Sequence, residues 1–206
     1  MKTTLYIWDL ANTLFHEEWD KETGFESYDK YVKSLGYDLK TISPLDYEKA
    51  YERPYKEGLY KIKIADGFQE VLSWTKNNIV FTTGNKEQID WRAEFFLKQG
   101  LFDPRPYLKE IHSTFDFGNT NKKTKEMIVE ILKRKIKKGY NEVVYIDDKL
   151  ENCLFFLEAA QSIGNLKVRI YNIKNDNLGI RKKENYWEIG NLYDLMENEK
   201  KIKLKL

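Results

Sequence analysis

Three short apolar runs in this chain each stop abruptly at an acid or a hydroxyl, and that punctuation constrains the fold more than any other feature. Thr3–Trp8 ends in Asp9, Asn78–Phe81 ends in Thr82-Thr83-Gly84-Asn85, and Glu142–Ile146 ends in Asp147-Asp148. Continuous apolar stretches bounded by polar turns suit strands covered on both faces, as in a parallel sheet. Helical patterns lie between them. Asp66–Lys76 opens at a capping acid and places Phe68, Val71, Leu72 and Thr75 on one side. Glu87–Gln99, Thr124–Ile136 and Leu150–Ile163 repeat apolar residues at helical spacing, and Lys167–Ile173 reads as a further strand. Strands alternating with helices predict right-handed βαβ units and an α/β fold, a three-layer, doubly wound parallel sheet.

Residues 15–64 break the alternation. They hold two amphipathic helical stretches, about Glu26–Leu35 and Pro44–Tyr60, with no convincing strand between them and Pro54 set to bend the second. The expected organisation is therefore a core of residues 1–14 and 65–206 carrying a small helical insertion, residues 15–64. The 206 residues suffice for a core without disulfides, and the one cysteine, Cys153, has no internal partner. Asp9 interrupts the N-terminal run before a signal-peptide core forms, and no stretch approaches the ~18 apolar residues of a membrane span. A cytoplasmic protein without a membrane or nucleic-acid partner is expected. The net charge of +2 is too small to imply nucleic acid, and the basic runs Lys133–Lys138 and KKIKLKL read as a solvated helix end and a terminus.

In doubly wound sheets, ligands bind beyond the carboxyl ends of the strands. Asp9, Thr82 and the Asp147-Asp148 pair all fall there. Acids gathered in a dry crevice repel one another, and their ionised forms persist only beside a cation. A ligand set of oxygens alone favours Mg²⁺, which keeps several waters and accepts carboxylates plus a substrate oxygen. A Thr82 hydroxyl and a lysine from the loop Asn121–Lys125 suit the oxygens of a phosphoryl group. One carboxylate then remains to attack phosphorus and form an aspartyl-phosphate.

These segments resemble the motifs of the haloacid dehalogenase superfamily, most of whose members are Mg²⁺-dependent phosphatases. YIWDLANTL is similar to the first motif, with Asp9 at the nucleophile position and Thr13 at the customary threonine. IVFTTGN is similar to the second, which puts the hydroxyl at Thr82 with Thr83 beside it. NKKTKEMI is similar to the third and favours Lys123 over Lys122. VVYIDDKLEN is similar to the fourth, with Asp147-Asp148 as its acidic pair and Asn152 placed to orient them. The four occur in the family's order, the resemblance covers residues 1–15 and 64–195, and IGNLYDL resembles the closing segment. The resemblance implies Asp9, Thr82 and Lys123 as catalytic residues, with Thr82, Thr83 and Lys123 holding the phosphoryl group. It implies Mg²⁺ bound by Asp9, Asp147, Asp148 and the backbone carbonyl of Ala11. Residues 15–64 correspond to the cap that selects a small phosphorylated substrate.

Ala11 departs from the pattern. Phosphatases of the family carry Asp-x-Asp, and the second Asp protonates the leaving group and then activates water, help worth roughly 10²–10⁴-fold. This chain has Asp9-Leu10-Ala11. A substrate with a good leaving group, such as an acyl phosphate, needs little acid help, and His16, Glu17 and Glu18 are the nearest substitutes in sequence. Two other readings follow from Ala11. One is a catalytically impaired binding protein. The other is a phosphonatase-type C–P hydrolase, in which a cap lysine forms a Schiff base. His112 and Cys153 read as structural, and Trp19, Tyr28, Tyr31, Tyr47 and Tyr51 suit either a pocket or the packing of the insertion.

Overall fold

The computed structural model of the chain describes residues 4–43, 46, 49–50, 53–54, 56–84, 86, 89–90, 93–94, 97, 100, 102–118 and 122–204. In chain order the elements are β1 (Thr4–Trp8), β2 (Phe15–Trp19), α1 (Tyr28–Ser34), β3 (Tyr60–Ile64), α2 (Phe68–Trp74), β4 (Asn78–Thr82) and β5 (Leu108–Ser113). There follow α3 (Lys125–Lys137), β6 (Glu142–Asp147), α4 (Leu150–Ile163), β7 (Lys167–Ile173), β8 (Arg181–Lys182), β9 (Trp187–Ile189) and α5 (Leu192–Lys203). Among the described residues the centre is a seven-stranded sheet of order β5-β4-β1-β6-β7-β9-β8. Every pairing in it is parallel except that of the short β8 with β9.

The side-chain period of two explains why these strands read as unbroken apolar runs. Along β1, Leu5 and Ile7 point into one core with α3 and α4, beside Ile79, Phe81, Val143 and Tyr145. Tyr6 and Trp8 point into the other, with α2 and α5, beside Val80, Val144 and Ile146. The result is three layers, and the sequence expectation of an α/β doubly wound sheet matches them.

Local chemistry sets the helix ends. Thr124 caps α3 through its side chain, which accepts from Met127 N–H. Asn191 and Asp194 form a reciprocal capping box at α5. Gly67, at φ 83°, lets α2 start hard against α5, where an added Cβ would stand 3.1 Å from the backbone nitrogen of Tyr193. A buried ionic cluster fastens α5 to the sheet. Arg169 donates Nε to Glu199 Oε1 at 2.6 Å and Nη2 to Oε2 at 2.8 Å, while Tyr171 donates its hydroxyl to Glu199 at 2.7 Å.

The chain differs from the sequence expectation in three places. The inserted segment opens and closes with strands: β2 and β3 pair antiparallel from Phe15↔Ile64 to Trp19↔Tyr60, so it is not helical throughout. Trp19, Phe25 and Tyr31 meet edge to face or tilted with ring centroids 5.3–5.8 Å apart, which is packing of the insertion. Tyr47, Tyr51 and the Tyr28 side chain lie outside the described residues, as does much of the helical patterns Pro44–Tyr60 and Glu87–Gln99. Strand β5 was not read, because Leu108–Ser113 mixes charged and apolar residues as an edge strand does. The basic run at the end of α3 is not simply solvated either. Lys135 is buried and, with Lys138, is paired to Glu110 on β5.

Candidate active site

Strand order reverses at β1. The chain moves outward through β4 and β5, then returns to lay β6 on the other side of β1. The crevice beyond the carboxyl ends of β1 and β6 is thus a topological switch point, where open α/β sheets bind ligands. Register puts Trp8 opposite Ile146, and Asp9 N–H donates to Ile146 O at 2.9 Å, so Asp9 and Asp147 emerge side by side. Just beyond, Leu10 O accepts from the N–H groups of Thr13, Leu14 and Phe15, and Asn12 takes φ 57°. This tight turn carries the chain away from Asp9 into the β2–β3 ribbon.

Asp9, Asp147 and Asp148 each bring a carboxylate oxygen within 4.8 Å of the others. Lys123 sits among them with its side chain fully buried. Its ammonium donates to Asp9 Oδ1 at 2.5 Å, to Asp147 Oδ2 at 2.7 Å and to the Tyr145 hydroxyl at 3.2 Å. Lys122 is exposed, so it is Lys123 that the start of α3 delivers to the acids. The two members of the acidic pair stand differently. Asp147 is buried and hydrogen-bonded on both oxygens. Oδ1 accepts from Lys149 N–H at 2.8 Å and Asn152 Nδ2 at 3.1 Å. Oδ2 accepts from Lys123, from Tyr145 at 2.6 Å and from Asn152 at 3.1 Å. Asp148 is half-buried and lines a cleft of about 60 Å³ with Asp9, Ala11, Asn12, Thr82, Thr83, Lys149 and Asn152.

The hydroxyl loop is held from the next strand. Thr82 Oγ1 accepts from Gly84 N–H at 3.1 Å, Ser113 Oγ donates to Gly84 O at 2.7 Å, and Thr114 Oγ1 donates to Thr83 O at 3.4 Å. From β7, Asn172 Nδ2 donates to the carbonyls of Asp147 and Asp148 at 3.1 and 2.9 Å. Ser113, Thr114, Tyr145 and Asn172 were not singled out in the sequence. Tyr145 alone had an available signal, since it shares a strand face with Asp147 at spacing two.

Three carboxylates and one ammonium leave two negative charges in a mostly buried site. Burial pushes the Asp9 carboxyl up to about 7, with Lys123 opposing and Asp147 and Asp148 adding to the rise. Burial, then the Asp147 charge, pushes Asp148 up to about 6. Lys123 is held above its ordinary value, because Asp147 and Asp9 outweigh the effect of its burial. The donor set is oxygen throughout and the charge deficit is that of one divalent cation, so the residues fit Mg²⁺.

No protein-family model and no curated protein sequence matches the chain. Solved structures do. The UTR4 protein (unknown transcript 4 protein) of Saccharomyces cerevisiae superposes with a TM-score of 0.55 at 12% identity, over 92% of this chain and 98% of that one. A HAD family enzyme of Bacteroides thetaiotaomicron, crystallised as a magnesium complex, superposes with a TM-score of 0.54 at 13% identity, over 82% of this chain and 93% of that one. The chain has the haloacid dehalogenase fold.

Within this fold, two of the residues expected as substitutes for the missing acid, His16 and Glu18, stand elsewhere. His16, on β2, lines a separate polar cleft of about 120 Å³ with Asp66, Asn175 and Asp176. Glu18 pairs with Lys63 across the ribbon at 2.7 Å, and the Glu17 side chain lies outside the described residues. His112 is half-buried on β5, and Cys153 is buried in the core beneath Asp147. No helix among the described residues is long and apolar enough to cross a membrane.

The raised carboxyls give a pH dependence with a definite sign. Between the ordinary carboxylate range and about 7, the folded metal-free chain binds more protons than the unfolded chain, so this site's contribution to stability falls as pH rises. A divalent cation needs the ionised acids and competes with those protons. Mg²⁺ is therefore expected to raise the unfolding midpoint by several degrees more at pH 8 than at pH 6, at about 2–4 °C per kcal/mol for a chain of this size. Thermal scans with Mg²⁺ and with EDTA at both pH values check this. Equal shifts at the two pH values would contradict it.

Proposed function

We propose that the chain is a Mg²⁺-dependent phosphohydrolase that forms an aspartyl-phosphate at Asp9 on a small phosphorylated metabolite. The observation that carries this reading is the cluster of Asp9, Lys123, Asp147 and Asp148 at the switch point, beside the Thr82-Thr83 loop. Asp9 is the nucleophile, with one oxygen already oriented by Lys123. Lys123 and the hydroxyl of Thr82 hold phosphoryl oxygens, Thr83 assists from the same loop, and their donors meet charge as it develops in the transition state. Asp9, Asp148 and the Ala11 carbonyl hold Mg²⁺, which when bound supplies a positive charge against the phosphoryl oxygens. Asp147, expected from the sequence among the ligands, has both oxygens occupied by protein donors and serves as the counter-ion of Lys123.

Proton transfer is the weak point, first to the leaving group and then from the water that cleaves the aspartyl-phosphate, releasing phosphate and freeing Asp9. Of the residues lining the cleft, the ionisable ones are Asp9, Asp148 and Lys149. No carboxyl stands at Ala11 to donate a proton. Acyl phosphates, whose carboxylate departs without protonation, are therefore better substrates than alkyl phosphates. Ala11→Asp is expected to raise hydrolysis of an alkyl phosphate such as glycerol phosphate on the order of 10²-fold, the low end for general acid–base help. Acetyl phosphate gains less, because only the help to the water that cleaves the aspartyl-phosphate applies to it. A phosphate-release assay of both proteins on both substrates tests this, and an unchanged ratio of the two rates would count against it.

Ala11 also favours a second reading, a catalytically impaired binding protein. It predicts Mg²⁺-assisted phosphate binding by the wild type without turnover on either substrate.

A further inference from the structure

We infer that Tyr145 is a positioning residue whose phenol sets Asp147 and Lys123 in register for holding a phosphoryl oxygen, an inference that rests on the phosphohydrolase reading. Tyr145 lies on β6 two residues before Asp147, so both side chains leave the same face of the strand. Its O–H donates to Asp147 Oδ2 at 2.6 Å, and its oxygen accepts from the Lys123 ammonium at 3.2 Å. One hydroxyl thus closes a three-membered ring of contacts with the carboxylate and the ammonium, whose own bond is 2.7 Å.

The ring itself has little freedom. Tyr145 is fully buried and stacks on Phe156 of α4, with centroids 4.1 Å apart and planes 10° apart. The Lys123 ammonium lies 5.2 Å from the Phe81 ring centroid, so an aromatic ring bounds it as well. An ammonium has three protons, and Asp9, Asp147 and Tyr145 take all three. The two carboxylate bonds join opposite charges and are short, whereas the phenol oxygen is an uncharged acceptor and its bond is long. When a phosphoryl oxygen arrives, the proton on Tyr145 is the least costly to redirect. The Tyr145 O–H meanwhile keeps Asp147 turned toward Lys123, so the ammonium is not drawn out of place.

Phosphate release from acetyl phosphate, measured for the wild type and for Tyr145→Phe, is the test, run beside the binding of inorganic phosphate in Mg²⁺. The substitution keeps the ring and its stack and removes the hydroxyl alone. Hydrogen bonds to charged groups suggest a loss of about 10- to 10²-fold. The expected result is a fall of that size in kcat and a comparable weakening of phosphate binding. The Mg²⁺ concentration for half-maximal effect stays the same, because Asp9 and Asp148 are untouched. Val71→Ala, on α2 in the core on the opposite face of the sheet, controls for packing and is expected to lower stability without lowering kcat. Unchanged kcat and phosphate affinity in Tyr145→Phe overturn the inference. So does a shift in the Mg²⁺ requirement with kcat unaltered, which would place the hydroxyl with the metal. If the wild type binds phosphate but shows no turnover, the phosphohydrolase reading fails and the affinity comparison alone decides the role of Tyr145. If the wild type binds no phosphate in Mg²⁺, both fail.

Discussion

Lys123→Met is expected to cost the metal-free fold about 3–5 kcal/mol at pH 8, the usual penalty for stripping one partner from a buried charge pair. Methionine fits the space of the lysine stem, so packing is nearly kept and the loss isolates the charge. The Lys123 side chain is completely buried and serves Asp9 and Asp147 at once. Without it two adjacent carboxylates share a dry site with no cation. Those acids respond by holding protons more tightly. The folded state then binds more protons than the unfolded state up to a higher pH, and stability falls more steeply as pH rises. Urea midpoints should therefore separate widely from wild type at pH 8 and approach it near pH 5, with Mg²⁺ recovering part of the gap. Midpoints that differ equally at both pH values would show that the ammonium does not balance those acids. Phosphate turnover is expected to vanish in the same variant.

Asp9→Asn should do the reverse to stability while abolishing chemistry. The amide has nearly the same shape but cannot attack phosphorus, so removal of a nucleophile costs on the order of 10⁴-fold or more in turnover. Burial holds the Asp9 carboxyl up at about 7 in spite of Lys123, so above that pH the ionised form is a net burden on the metal-free fold. A neutral residue relieves it. The urea midpoint of Asp9→Asn at pH 8 in EDTA should rise above wild type, and the added stabilisation by Mg²⁺ should shrink. Gain of stability with loss of activity marks a residue kept for chemistry. A variant both inactive and less stable in EDTA would point to a structural role for Asp9.

The parts of this molecule that could be read from its sequence are those where burial is complete. Thr4–Trp8, Asn78–Thr82 and Glu142–Asp147 are covered on both faces, so beyond their first residues they run apolar or aromatic up to the polar end that forms the site. Lys167–Ile173, buried over its last five residues, was legible for the same reason, and Leu150–Ile163 by the helical spacing of its buried residues. Where one side meets solvent or another strand edge, the pattern weakens. Leu108–Ser113 on the sheet edge alternates imperfectly, and β2 and β3 make a two-stranded ribbon whose charged residues Glu18 and Lys63 pair with each other. Their pairing is non-local and leaves no period in either segment. In the site, strand ends and motif spacing indicated Asp9, Thr82, Lys123 and the acidic pair. The different environments of Asp147 and Asp148 were not legible, because they depend on Tyr145, Lys149 and Asn152 converging on one carboxylate and not the other. Nor could sequence distance show that His16, seven residues from Asp9, turns into another cleft.

We propose that the acids around Lys123 form a Mg²⁺-dependent phosphoryl-transfer centre with Asp9 as nucleophile. Phosphate release from acetyl phosphate and p-nitrophenyl phosphate, measured with Mg²⁺ and with EDTA beside Asp9→Asn, tests it most directly. The account predicts release that requires Mg²⁺, disappears in Asp9→Asn and is faster on acetyl phosphate. Release that survives EDTA, or that Asp9→Asn retains, would contradict it.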